Sequence, residues 1–281
     1  MSEAHTVQVV TDSTSDLPLA MRQELGIEVV PLTISFGGTN YRDGIDLAPE
    51  TFFTMLQESA ELPKTSQPPV TAFEEAFRSA LDQDRDVVCI TISSELSGTC
   101  NAARLAAESI GSDRIVIIDS RSATMQLGWI VVAAARKAAE GASLDEVAAE
   151  GRDAIDRVAL FAVLRTLDYV YKGGRIGKAT QMVGSALAIK PIVSFVDGVL
   201  VPLERVRTWK KAVARVTDLV RPTPTDILVL HSGNLEDASS VAADLQRRYP
   251  SASIGIDYAG ATIGTYAGPG AIATTALYPS N

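Results

Sequence analysis

The stretch that decides the fold is Val87-Val88-Cys89-Ile90-Thr91-Ile92-Ser93-Ser94-Glu95-Leu96-Ser97-Gly98. It begins with a continuous apolar run rich in β-branched residues, which is typical of a strand buried on both faces of a sheet. A short Ser/Gly loop follows, and the pattern after it predicts a helix from Thr99 to about Ile110. A buried strand that runs through a short loop into a helix indicates a parallel sheet covered by helices.

The same alternation of strand and helix extends to both sides of this unit. Further strands are predicted at residues 7–11, 27–35 and 115–118. Helices are predicted from Leu17-Pro18 onward and at residues 49–59, 70–81 and 123–140. The first half therefore predicts a parallel sheet with helices on both faces.

The second half has a different pattern. A helix at residues 143–156 leads out of the first domain, and a strand at 160–164 begins a second unit. Asp197-Gly198 between two apolar runs predicts a hairpin with a type I′ turn, and 209–258 alternates helix and strand twice. We expect an α/β protein of two domains, a parallel-sheet α/β domain at 1–158 and an α+β domain with a mixed sheet at 159–281.

Composition excludes several classes of protein. The net charge is −9 and no basic stripe occurs, so a nucleic-acid binder is not expected. The polar N-terminus does not resemble a signal peptide, and no apolar run is long enough for a transmembrane helix. Two cysteines, Cys89 and Cys100, fit two free buried thiols in a cytoplasmic protein. Contact with membranes is expected to be transient only.

The usual catalytic templates are missing. His5 and His231 are the only histidines, and no Gly-x-Ser-x-Gly motif occurs. A zinc site would need more His and Cys than the chain has. The segment Gly173-Gly174-Arg175-Ile176-Gly177-Lys178-Ala179 resembles a P-loop but is one residue short, and Ala179 replaces the magnesium-binding hydroxyl. We expect no cofactor and no metal.

Hydroxyl-rich segments are the sequence features that favour a ligand-binding site. Ser97, Gly98 and Thr99 stand between a strand and a helix, where they either form an anion site or merely cap the helix. Lys64-Thr65-Ser66-Gln67-Pro68-Pro69 and Gly264–Gly270 are predicted to be polar loops. Asp12-Ser13-Thr14-Ser15 and Asp119-Ser120-Arg121-Ser122 follow two strands. They are either N-caps or hydroxyl groups gathered at one crevice, where ligands of parallel sheets bind.

Six segments resemble the DegV family, in the family's order and over nearly the whole chain. They are Thr11-Asp12-Ser13-Thr14-Ser15-Asp16-Leu17-Pro18, Lys64-Thr65-Ser66-Gln67-Pro68, Ser93-Ser94-Glu95-Leu96-Ser97-Gly98-Thr99, Lys172-Gly173-Gly174-Arg175-Ile176, Lys190-Pro191 and Gly264-Thr265-Tyr266-Ala267-Gly268-Pro269-Gly270-Ala271-Ile272. The resemblance implies two α/β domains with a long-chain fatty acid buried between them. It also implies a monomer that serves as the fatty-acid-binding subunit of a bacterial fatty acid kinase, whose catalytic subunit makes an acyl-phosphate.

The resemblance also implies roles for individual residues. Thr65 and Ser97 match the positions that hydrogen-bond the carboxylate, and Ser66, Gly98 and Thr99 stand in the same segments. The family has a histidine where this chain has Tyr266, and we expect Tyr266 to donate its hydroxyl to the carboxylate, directly or through a water. Alternatively, Tyr266 packs as an aromatic wall with its hydroxyl in solvent.

Arg175 and Arg207 match basic positions that are tied to the kinase partner in the family. Three functions stay open on the residues alone. One is a lipid-binding protein that carries a substrate for the kinase without catalysis of its own. A second is an enzyme that uses Ser97 as a nucleophile or Arg175 in phosphoryl transfer. A third is a lipid-sensing regulator of another protein.

Overall fold

The computed structural model describes residues 6–59, 61–182 and 189–280, which contain three sheets and their helices. His5 lies outside the described residues. The strands, in chain order, are β1 (Thr6–Asp12), β2 (Glu28–Val30), β3 (Thr33–Phe36), β4 (Thr39–Arg42), β5 (Lys64–Ser66), β6 (Arg85–Thr91), β7 (Ile115–Asp119), β8 (Val158–Val163), β9 (Lys190–Val196), β10 (Val199–Val206), β11 (Asp226–His231), β12 (Ser253–Tyr258) and β13 (Ile272–Leu277). The helices are α1 (Leu19–Glu24), α2 (Pro49–Glu58), α3 (Val70–Asp82), α4 (Thr99–Ile110), α5 (Thr124–Ala139), α6 (Leu144–Ala154), α7 (Asp168–Lys172), α8 (Trp209–Asp218), α9 (Leu235–Arg248) and α10 (Ala261–Ala267).

The N-terminal sheet is parallel throughout, with the strand order β2-β1-β6-β7. Residues 87–90 of β6 are all fully buried, because α3 and α4 cover one face of the sheet and α5 and α6 cover the other. The predicted parallel α/β architecture is therefore confirmed. Cys89 and Cys100 are buried free thiols, as predicted.

A small antiparallel sheet, with the order β4-β3-β5, was not expected from the sequence. The strand region predicted at 27–35 is divided into two strands, because β2 pairs with β1 while β3 pairs with β4 and β5. Pro31 lies between β2 and β3 and has no N–H to donate to a ladder. The segment around Thr65, expected to be a loop, is strand β5, in which Thr65 lies opposite Ile34.

The C-terminal sheet is mixed, with the order β10-β9-β8-β13-β11-β12. Only β11 and β12 pair in parallel among its described neighbours, and α8 and α9 cover one face. At the turn between β9 and β10, Asp197 has φ 53° and Gly198 has φ 83°. Both values are left-handed, so the predicted type I′ hairpin is confirmed. The predicted mixed sheet of the C-terminal part is confirmed as well.

Helix α5 connects the two halves of the molecule. One apolar cluster contains residues of α5 together with Leu228, Leu230 and Leu277 of the C-terminal sheet. Trp129 is 2% exposed, and its indole N–H donates to Thr275 Oγ1 at 3.0 Å. The two sheets thus pack against the same apolar core. The division into domains at 158/159 stays a prediction. Nowhere in the described ranges is a helix both long and apolar enough to cross a membrane.

The glycine-rich segment 264–270 begins inside a helix, not in the loop that was expected. Residues 261–267 form α10, and the helix ends at Gly268, which has φ 72°. Glycine is needed at position 264, because a Cβ there would lie 2.6 Å from a ring carbon of Phe53. Gly264, which the sequence placed in a loop, is therefore needed for the close packing of α10 on α2.

Candidate functional site

A cavity of about 330 Å³ lies where the two halves of the molecule meet, a volume within the range of small-molecule sites. Its wall combines loops that follow strands of the N-terminal sheet, β5, α10 and the face of the C-terminal sheet opposite α8 and α9. The C-terminal sheet and the segments next to it supply apolar lining, including Leu160, Ala162, Leu164, Val193, Phe195, Leu200 and Ala273. Most of the cavity wall is therefore apolar.

Two alanines leave part of this space open. Ala162 of β8 is directly opposite Ala273 of β13 in the antiparallel ladder, and both line the cavity. Val193 of β9 is the partner of Ala162 on its other side and also lines the cavity. Larger side chains at the two alanine positions would fill the space above the sheet.

Polar side chains from separate segments reach the same cavity. The lining includes the predicted residues Thr65, Ser66, Ser97, Gly98, Tyr266 and Arg175, together with Gln67. Thr99 is fully buried next to Ser97, to which it is hydrogen-bonded. Arg207 is exposed beyond the end of β10 and is not among the described residues that line the cavity.

The Ser97 hydroxyl is held by the start of α4. Its Oγ accepts a hydrogen bond from the Thr99 N–H at 3.3 Å and lies 2.9 Å from Thr99 Oγ1. When Thr99 donates in the second contact, the Ser97 hydrogen stays free for a ligand. A Cβ on Gly98 would lie 1.9 Å from Gln67 Oε1, so only glycine allows this approach of the Gln67 side chain. The N-cap of α4 is Gly98, not Ser97, and the Ser97 hydroxyl accepts the Thr99 N–H in a local turn that leaves ligand contact possible.

Tyr266 and Thr65 form a hydroxyl pair in the cavity wall. Their oxygens are 2.6 Å apart, and one hydroxyl donates to the other, so one hydrogen of the pair remains available. The Tyr266 ring packs on Gly173, where a Cβ would lie 2.5 Å from Cδ1 of the ring. Tyr266 therefore packs as an aromatic wall, yet its hydroxyl is engaged by Thr65 instead of facing solvent.

Arg175 is anchored by two backbone carbonyls. Its Nε donates to the carbonyl of Leu96 at 3.2 Å, and its Nη1 donates to the carbonyl of Gly173 at 2.9 Å. The guanidinium carbon lies 5.5 Å from the centre of the Tyr266 ring. Arg175 thus connects the segment before Ser97 with the turn after α7 and places a positive charge at the polar end of the cavity.

Three threonines that sequence reasoning did not select also line the cavity, Thr14, Thr124 and Thr262. The Thr14 hydroxyl donates to the buried Asp12 carboxylate, which also accepts the Ile92 N–H at 2.8 Å. The Thr124 hydroxyl donates to Asp16 at 2.6 Å. The hydroxyl hydrogens of Thr14 and Thr124 are thus used within the protein, so neither is a free donor for a ligand.

Burial is the main influence on the pKa values of Asp12 and Asp16. It raises the pKa of Asp12 to about 6, against the hydrogen bonds from Thr14 and Ile92. It also raises the pKa of Asp16, against the hydrogen bonds from Thr124 and the Gly260 N–H. One interpretation of the segment Asp12-Ser13-Thr14-Ser15 was that its hydroxyl groups lie at a crevice at the end of the strand. Thr14 is at such a position, because it lines the cavity.

His231, at the end of β11, was considered only as a catalytic base, but the structure places it in the cavity wall. Its ring centre lies 4.1 Å from that of Tyr258, and burial lowers the pKa of the imidazole. The described hydrogen-bond contacts of the Ser97 hydroxyl are the hydroxyl and the N–H of Thr99, neither of which is a general base. The described contacts of Ser97 do not form a nucleophile–base pair.

Comparison with known proteins identifies the family. The matching family model describes an uncharacterised protein of the DegV family and covers residues 6–278. A DegV domain-containing protein of Caldanaerobacter subterraneus is 36% identical over 270 residues, which are 94% of this chain and 96% of the relative.

Solved structures agree with this assignment. A structure described as fatty acid binding of a DegV family protein from Thermus thermophilus matches with a TM-score of 0.91 and 31% identity, over 98% of this chain and 100% of that one. A stearic acid-binding protein from Eubacterium ventriosum matches with a TM-score of 0.85 and 25% identity, over 96% and 98% of the two chains. The chain belongs to the DegV family.

Proposed function

We propose that the protein binds one long-chain fatty acid in the cavity and presents its carboxylate to the catalytic subunit of a fatty acid kinase. The observation that carries the first part is the division of the cavity into an apolar wall and one polar end. Thr65 and Tyr266 are hydrogen-bonded there, and Ser97 lines the same cavity, although the three residues come from distant segments. Solved DegV structures that are described as fatty-acid-binding support the choice of ligand.

The energetics favour a long acyl chain with a charged head group. Burial of each methylene contributes roughly 0.8 kcal/mol, so a long chain binds tightly even after the cost of association. Hydrogen bonds from neutral hydroxyls to a carboxylate are charge-assisted and stronger than bonds between neutral groups. A fatty acid should therefore bind more tightly than the alcohol of equal length.

Replacement of Ser97 by alanine is expected to weaken fatty acid binding by roughly 1–3 kcal/mol, the cost of losing a hydrogen bond to a charged group. Isothermal titration with stearic acid measures this loss. Ser94→Ala is the matched control, because Ser94 lies in the same segment but is exposed and donates to Asp119. If Ser97→Ala and Ser94→Ala both titrate like the wild type, Ser97 is not part of the head-group site.

The Tyr266→Phe variant keeps the ring and removes the hydroxyl, and we expect a loss of roughly 1–2 kcal/mol in fatty acid affinity. Tyr171→Phe serves as the control, since Tyr171 is 54% exposed. Tyr266→His should bind at least as well as the wild type and show a new pH dependence between about pH 6 and 7. Equal affinity of Tyr266→Phe and wild type would remove the hydroxyl from the head-group site.

Arg175 is proposed to act in the reaction with the kinase. Arg175→Ala should leave fatty acid affinity near the wild-type value and slow acyl-phosphate formation on the order of tenfold, the effect of one lost charge-assisted contact. Arg207→Ala should act in the same direction, whereas Arg152→Ala, an exposed change on α6, should not. An unchanged rate of acyl-phosphate formation with the cognate kinase would contradict this role for Arg175.

The assay of acyl-phosphate formation also separates two alternative functions. A lipid-sensing regulator would bind the fatty acid without supporting acyl-phosphate formation, and an enzyme would form a product without the kinase. We further infer a cytoplasmic monomer with only transient membrane contact, without cofactor or nucleic acid. Sedimentation of the loaded protein at several concentrations tests the monomer.

A further inference from the structure

The buried carboxylate of Asp16 joins two parts of the cavity wall. Its Oδ2 accepts a hydrogen bond from the Thr124 hydroxyl at 2.6 Å, and its Oδ1 accepts one from the Gly260 N–H at 3.1 Å. Thr124 begins α5 and lines the cavity, whereas Gly260 directly precedes α10. Asp16 therefore connects the helix that links the two halves of the molecule to the helix that carries Tyr266.

Two features of this connection are energetically costly. Thr124 has φ 52°, a left-handed conformation that β-branched residues rarely adopt. Burial is the main cause that raises the pKa of Asp16, and the nearby carboxylates of Asp43 and Asp257 raise it further. Strained backbone persists only where the surrounding structure holds it, and it is concentrated at functional sites. The cost therefore directs attention to what Asp16 holds in place.

The contact between Asp16 and the start of α10 depends on a glycine. Gly260 has φ −61° and ψ 162°, which any residue can adopt, so backbone freedom is not the reason for glycine here. A Cβ at this position would lie 2.6 Å from Asp16 Oδ1. An alanine would therefore displace the carboxylate without straining the backbone.

The helix that begins at this contact places Tyr266. Because α10 has only about two turns, a shift of its first residues moves Tyr266 as well. The Tyr266 hydroxyl lies 2.6 Å from that of Thr65, so their hydrogen bond requires α10 to lie at a fixed position relative to β5. Packing of Gly264 on Phe53 fixes the middle of the helix, and Asp16 fixes its beginning.

We propose that Asp16 is a positioning residue for fatty acid binding, which holds α10 so that the Tyr266 hydroxyl reaches the carboxylate of the ligand. This inference rests on the proposed function, since it explains how one group of the same head-group site is placed. Asp16 is not among the described residues that line the cavity, so it acts through Thr124 and Gly260.

A double-mutant cycle with stearic acid as the ligand tests this role. Asp16→Ala should weaken binding about tenfold, and no more than Tyr266→Phe does. In a Tyr266→Phe background the same change should cost less than about threefold, because the hydroxyl that Asp16 positions is already absent. Asp16→Asn, which can accept from the Gly260 N–H and donate to the Thr124 hydroxyl, should restore most of the affinity. Asp145→Ala, an exposed change on α6, is the control.

A spectroscopic measurement without ligand covers the case in which Asp16→Ala does not fold. Gly260→Ala disturbs the same contact while Asp16 stays in the chain. The Cζ resonance of Tyr266, assigned with Tyr266→Phe, should shift in Gly260→Ala and in Asp16→Ala but not in Asp145→Ala. An unshifted resonance in folded Gly260→Ala, or losses of affinity that multiply in full in the double variant, overturns the inference. Failure of the wild type to bind stearic acid would instead refute the proposed function.

Discussion

Replacement of Ala162 by phenylalanine is expected to remove most of the affinity for long-chain fatty acids. Ala162 is opposite Ala273 in the C-terminal sheet, and both line the cavity. A phenyl ring at this position occupies space that the acyl chain needs. If about five methylenes are displaced, the loss is roughly 4 kcal/mol, or about a thousandfold in the dissociation constant. Titration with stearic acid measures it.

A graded series makes this prediction sharper. Ala162→Val should cost less than Ala162→Phe, and shorter fatty acids should lose less affinity than stearic acid in both variants. Ala20→Phe is the matched control, because it adds the same ring at an exposed position of α1. Thermal unfolding confirms that the variants are folded. Wild-type affinity of a folded Ala162→Phe protein would exclude this part of the cavity as the acyl site.

Truncation of Trp129 to alanine is expected to lower the free energy of unfolding by about 3–5 kcal/mol, as for other large buried aromatic residues. Trp129 is 2% exposed in α5, within the cluster that also contains residues of β11 and β13. Its indole also donates to Thr275 Oγ1 at 3.0 Å. Because α5 packs on both sheets, the loss should destabilise the whole chain in one transition. Urea denaturation measures the free energy.

Trp129→Phe separates packing from hydrogen bonding in this position. It keeps most of the ring and removes the donor, so we expect a loss well below that of Trp129→Ala. Thr275 keeps a partner in that variant, because its hydroxyl donates to the carbonyl of Leu228 at 2.9 Å. If Trp129→Ala unfolds in two steps and only one is shifted, the predicted domains at 158/159 are independent and do not share one core.

The sequence was sufficient to predict those elements whose residue pattern follows from their own burial or turn geometry. The apolar run of β6 and the helix Thr99–Ile110 follow directly from burial on both faces and from helical periodicity. The Asp197-Gly198 turn follows from the two left-handed residues that a type I′ hairpin requires. The small sheet was missed because its strands have three or four residues, too few for a periodic pattern.

The site was predictable only in part. Resemblance to the family selected Thr65, Ser97 and Tyr266, and the structure brings all three to one cavity. Thr14 and His231 depend on which strand ends meet in three dimensions, so no local pattern distinguishes them from other strand-end residues. The anchoring of Arg175 depends on the carbonyl of Leu96, which is 79 residues away in the chain. Contacts at that separation need the folded structure.

Native mass spectrometry of the purified protein tests the central claim most directly. We expect the intact protein to carry one additional mass in the range of a long-chain fatty acid, which organic extraction removes and added stearic acid restores. Ala162→Phe should carry much less of this mass, and Ala20→Phe should carry as much as the wild type. A wild-type protein that shows only the mass of the bare chain, and gains none on titration with fatty acids, would contradict the proposed function.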